Sequence, residues 1–170
     1  MAQFILTAVG ADRPGLVGEL TGHLHGAGAN ILDTRMVNLR GRFAVIMLME
    51  LGDPGPIKQV LPALEAIGLT VQLTDHSAGT AAKGGLPFRL KTYSLDQPGL
   101  VHRISEVLRR HGVNIEDLSA RQESAPFAGD PLFTMEMRLT VPPAVAVRAL
   151  RADLDGVCEK VNADIDLEPG

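Results

Sequence analysis

The side chains best suited to chemistry in this sequence come as two matched sets. Asp12, Gly15 and Leu16 are followed by Asn30 and Ile31; Asp96, Gly99 and Leu100 are followed by Asn114 and Ile115. Each set combines an anionic acceptor with backbone and side-chain donors, groups that can hold a small ligand carrying both a cation and an anion. Asp12 and Asp96 can accept charge-assisted hydrogen bonds from an ammonium. The backbone N–H groups of Gly15-Leu16 and Gly99-Leu100 fall at expected helix N-termini, which favour an anion. Glycine there lets a ligand approach the backbone. Asn30 and Asn114 supply both a donor and an acceptor, and Ile31 and Ile115 complete the candidate set. The same residues also suit structure alone. Asp-x-Pro-Gly is good helix-start chemistry, and Asn after Gly serves as a cap or turn residue. Ligand contact and structure stay open at each position, because a duplicated fold duplicates its structural residues too.

Other reactive side chains give less. His23 and His25 are two apart on an expected helix and point to different faces, so they cannot share a metal. His102 and His111 stand where the first set has Gly18 and Ala27, which reads as a solvated helix face, and His76 ends a strand. Cys158 is the only cysteine. It excludes an internal disulfide, fits a reducing cytoplasm, and reads as a buried or edge thiol. Gly26-Ala27-Gly28 follows a helix and precedes a strand, the wrong order for a nucleotide loop. No Ser-His-acid set or carboxylate pair can be placed in one pocket, so neither catalysis, a metal nor a cofactor is expected.

Positioning these residues falls to a repeated unit. At an offset of 84 positions, Asp12-Arg13-Pro14-Gly15-Leu16-Val17 falls on Asp96-Gln97-Pro98-Gly99-Leu100-Val101, and Gly28-Ala29-Asn30-Ile31 on Gly112-Val113-Asn114-Ile115. The register holds from Phe4 to Asp33 without a gap, which implies one supersecondary unit used twice. Each copy reads β-α-β-β-α-β. Strands are expected at 3–9, 30–37, 43–51 and 69–75, and again at 87–93, 114–121, 132–141 and 159–167. The first helix of each copy opens at Pro14-Gly15 or Pro98-Gly99 and stops at Gly28 or Gly112. The second helices start near Pro54 and Pro142, and Pro62 should kink the former. The expected organisation is a first domain at 1–76, a small-residue linker at 77–86 and a second domain at 87–170. Residues 122–131 make the second hairpin longer than Asn38–Arg42 of the first, as either a functional loop or a tolerated insertion.

The paired signature Asp-x-Pro-Gly-Leu-Val, then Gly-x-Asn-Ile, resembles the ACT domain. That resemblance implies an α+β fold of two ferredoxin-like βαββαβ units, each an antiparallel sheet with its helices on one face. It also implies binding of a small amino acid, often at interfaces between ACT units, and a regulatory role exerted through a protein partner. A pair of such units resembles the glycine cleavage system transcriptional repressor group, which implies glycine or another small amino acid as ligand and a protein partner such as a transcription regulator. An interaction or structural module without a working ligand site is the alternative.

Composition sets the outer limits. The 170 residues carry a formal charge of −4 and no tryptophan, with Tyr93 the only tyrosine. That argues against nucleic acid as a direct partner, which wants clustered cations and stacking rings. No apolar run reaches the ~20 residues that span a bilayer, so no membrane partner is expected. Met1–Asp12 has no basic residue ahead of its apolar run, unlike a secretory signal. Finally, strand alternation assigns Phe4, Leu6, Phe43, Val45 and Met47 to the helix side of the first sheet. Ile5, Thr7, Val9, Ala44, Ile46 and Leu48 are left on its open face. That apolar face should be covered, and a homodimer is the preferred cover.

Overall fold

A computed structural model describes residues 2–53, 55–76, 84–95, 98–124 and 131–170. It divides into two compact units. The first runs β1 (Ala2–Ala11), α1 (Leu16–Gly26), β2 (Asn30–Leu39), β3 (Arg42–Leu51), α2 (Gly55–Ala66) and β4 (Leu69–Asp75). The second runs β5 (Leu86–Leu95), α3 (Leu100–Arg110), β6 (Asn114–Ser124), β7 (Pro131–Val141), α4 (Val147–Glu159) and β8 (Ala163–Pro169). The bounds of β5 and α3 are those of β1 and α1 moved by 84 residues, and β6 starts 84 residues after β2.

Each sheet is four-stranded and antiparallel, ordered β2-β3-β1-β4 and β6-β7-β5-β8. This is the ferredoxin-like arrangement, with the first and third strands of each unit paired at the centre. The helices are held by the alternating inner positions of those central strands. In the first unit Phe4, Leu6, Phe43 and Met47 are buried with Leu20 and Leu24 of α1 and Ile57 and Leu64 of α2. In the second, Phe88, Leu90, Met135 and Met137 are buried with Ile104 of α3 and Leu154 of α4. The expected phase of both sheets is the observed one.

The first helix of each unit ends by the same device. Gly28 (φ 77°) accepts the left-handed conformation; its N–H donates to the His25 carbonyl and that of Ala29 to the Leu24 carbonyl. Gly112 (φ 66°) and Val113 repeat this against Arg109 and Leu108. These paired bonds satisfy carbonyls that a helix end leaves open. The first hairpin turns through Arg40 and Gly41, both at positive φ, the two-residue turn whose twist suits antiparallel strands.

Two boundaries differ from expectation. The fourth helix starts at Val147, not near Pro142, because Pro143 disfavours helix at the residue before it and a turn from Val145 N–H to the Pro142 carbonyl intervenes. The last strand starts at Ala163, not 159, because α4 continues through buried Cys158 to Glu159 and the chain then turns at Asn162 (φ 46°). Pro54, most of the expected linker (77–83) and the centre of the long hairpin (125–130) lie outside the described residues.

Candidate functional site

The β1–α1 turn is built by the glycine it contains. Gly15 is the N-cap of α1 at φ 87°, and Gly99 is the N-cap of α3 at φ 88°. A side chain there would meet the left-handed penalty of roughly 1–2 kcal/mol, so Gly is needed whether or not a ligand approaches. Leu16 and Leu100 are each 2 % exposed, so only their backbones can meet a ligand. The Leu16 N–H already donates to the Arg13 carbonyl at 3.3 Å, a long bond at the edge of useful geometry.

Asp12 is exposed and tied to the first hairpin. Its N–H donates to the Gly41 carbonyl at 2.9 Å, its carboxylate accepts from the Asn38 side-chain amide, and the Asn38 side-chain Oδ1 accepts from Gly41 N–H at 3.0 Å. Beside it, both guanidinium ends of Arg13 donate to the Glu19 carboxylate at 2.6 Å. That bidentate bond holds the Glu19 carboxyl below its ordinary range and the Arg13 guanidinium above its own. One end of the first unit thus gathers Asp12, Arg13, Glu19, Asn38 and the cap at Gly15. Asp96 lies outside the described residues, so only Gly99 and Leu100 of its set can be placed at the second turn.

Asn30 and Ile31 sit elsewhere. Asn30 pairs with Glu50 at the far end of β3, whereas Ala11, next to Asp12, pairs with Arg42. The eight residue steps from Arg42 to Glu50 span roughly 27 Å of strand, so one unit's Asp12 and Asn30 cannot close on one small ligand. The Asn30 amide donates to the Glu50 carboxylate at 3.0 Å, and Asn114 donates to Glu116 at 2.6 Å. That bond, with Thr140, keeps the Glu116 carboxyl below its ordinary range. Both Asn-Ile pairs precede a β-bulge, between Ile31 and Asp33 and between Ile115 and Asp117. Ile31 is exposed and Ile115 half-buried.

Sequence reasoning missed Asn38, Arg13 and Glu19. Asn38 is 26 residues from Asp12 and joins it only through the hairpin register, but Arg13 and Glu19 flank the cap at a spacing that could have been read. It also missed Thr92 and Ser94, buried hydroxyls on the helix side of β5 that lack a hydrogen-bond partner among the described residues. Cys158 is buried, and burial followed by nearby Asp155 and Asp164 pushes its thiol up to about 11. It is therefore a thiol, not a nucleophilic thiolate, near neutrality. The described residues hold no cluster of metal-binding side chains, and no described helix is long and apolar enough to cross a membrane.

With this geometry in view, residues 2–78 match the ACT domain family. Those residues, the first unit, are an ACT domain. The second unit repeats the ACT fold in tandem, strand order included. Over 163 residues the chain is 26 % identical to the glycine cleavage system transcriptional repressor of Escherichia coli (strain K12), covering 94 % of this chain and 85 % of that protein. Among solved structures, an unknown protein from Galdieria sulphuraria superposes with a TM-score of 0.85 at 30 % identity, covering 99 % of this chain and 98 % of the other. A structure provisionally assigned as a glycine cleavage system transcriptional repressor gives a TM-score of 0.72 at 23 % identity over 98 % and 96 %, which shows the shared fold.

Proposed function

We propose that this tandem ACT protein is a cytoplasmic, non-enzymatic regulator that binds a small amino acid, glycine first among them. Occupancy alters its contact with a protein partner in the transcriptional control of glycine cleavage. The observation that carries this reading is the similarity to the Escherichia coli repressor along 94 % of the chain, which takes in both units and not one ACT domain alone. The exposed turn at Asp12 and Gly15 adds chemical support, since its carboxylate suits an ammonium and the helix start suits a carboxylate. A net charge of −4 favours acting through a protein over direct contact with nucleic acid.

A second reading has an observation of its own. The Asp12 carboxylate already accepts from Asn38, and the Leu16 N–H already has the Arg13 carbonyl. A turn so occupied would suit an interaction module without a working ligand site. An amino acid that raises the parent's melting temperature would favour the first reading, and the Asp12→Ala variant then tests this turn's part in the site. It should weaken binding of whichever amino acid most raises the parent's melting temperature by roughly 1.5–3 kcal/mol, the scale of a hydrogen bond to a charged group. Equal affinity in variant and parent would remove Asp12 from the site.

A further inference from the structure

The two sheets present different open faces. In the second unit that face neutralises itself: Arg89 pairs with Glu136 at 3.2 Å and Arg138 with Asp117 at 3.4 Å. Such a face suits water. In the first unit the equivalent places of Arg89, Glu136 and Arg138 are taken by Ile5, Ile46 and Leu48. Ile46 is 46 % and Val9 44 % exposed. Asp33, facing Leu48, and Arg35, facing Ile46, form no ion pair among the described residues. A depression of about 200 Å³ lies among Ile5, Asp33, Arg35, Ile46 and Leu48.

We propose that this face is an interface between two copies of the chain, packed sheet on sheet about a two-fold axis lying across the strands. The register makes the face self-complementary. Two successive rungs of the open face read Asp33–Leu48–Ile5 and Arg35–Ile46–Thr7. An axis lying over the intervening rung, Thr34–Met47–Leu6, exchanges them between copies. Asp33 of each copy then stands over Arg35 of the other, and Leu48 over Ile46. Opposite charges meet at the edge, apolar side chains fill the centre, and both depressions are occupied. Face-packed sheets sit ~10 Å apart, a gap that an arginine and an aspartate reaching from opposite sides can close. An isologous contact of this kind closes on itself and builds no filament. A second copy uses the matched order of charges along one strand twice, Asp33 over Arg35 and Arg35 over Asp33.

Charge exchange in the full-length chain tests this, with mass read by light scattering and sedimentation equilibrium. The parent should be a dimer. Arg35→Asp sets acid over acid and Asp33→Arg sets cation over cation, so each should weaken dimerisation by roughly tenfold or more. The double variant Asp33→Arg/Arg35→Asp restores opposite charges in both places and should restore the dimer. Both positions are exposed, so the singles should keep their fold, checked by circular dichroism. A monomeric parent overturns the proposal. So does a dimer that survives both single exchanges, or one that the double exchange does not recover.

Discussion

Asp12 and its neighbours show how one residue set serves fold and chemistry together. The Asp-x-Pro-Gly spacing is legible in sequence because its causes are local: a left-handed cap at Gly15 and a helix start behind it. What Asp12 touches was not legible, because Asn38 arrives from a hairpin 26 positions away. The Arg13–Glu19 pair across the cap carries a pH signature. Glu19's carboxyl is lowered from its ordinary value of 4.5, chiefly by the hydrogen bonds from Arg13. A carboxyl whose folded pKa is depressed contributes stability above its unfolded pKa and loses it as pH falls through the folded one. The pair's support is therefore full above about pH 5 and fades under acid. Solvent screens so exposed a pair, so the readout is titration, not unfolding. In carbon-detected NMR, Glu19 should titrate below 4.5, and Arg13→Ala should move its midpoint up. An unmoved midpoint would mean that the pair does not persist in solution.

At the scale of elements, alternation in the central strands determined which face each sheet gives its helices, and the two phases agree because the units repeat. A slip of one residue would have exchanged the faces of the first sheet. Adjacent substitutions on β3 test this. Val45 is 5 % exposed and belongs to the core, whereas Ile46 points to the open face. Val45→Lys should cost more than about 3 kcal/mol, from lost apolar burial and a buried charge. Ile46→Lys should stay within about 1 kcal/mol in denaturant titrations run dilute enough to keep the chain monomeric. The opposite order would reverse the phase. Boundaries were less legible than faces. Alternation through Val161, Ala163, Ile165 and Leu167 is real, yet its first member lies in a turn, because a buried residue in a turn and one in a strand leave the same trace in sequence. The α4 start was missed since Pro142 and Pro143 read as a helix start but form a turn ahead of it. The bulges after Ile31 and Ile115 leave no mark in hydropathy at all.

For the whole molecule, the repeat conveyed the two-unit architecture, because an offset held from Phe4 to Asp33 has no simpler origin. It could not convey convergence of the candidate site. Asp12 and Asn30 lie at opposite ends of one sheet, so one small ligand cannot touch both within a unit. Alternation conveyed the apolar open face of the first sheet; the ion pairs of the second sheet and the register of Asp33 and Arg35 came only with the strand pairing. The proposed function requires this chain to bind a small amino acid through both its ammonium and its carboxylate. Calorimetric titration of the full-length protein with glycine and the other common amino acids tests it most directly, with methylamine and acetate as half-ligand controls. Glycine or another small amino acid should give saturable heat, and neither control any at the same concentration. Absence of saturable heat from every amino acid up to millimolar concentration, with the protein folded, would contradict it.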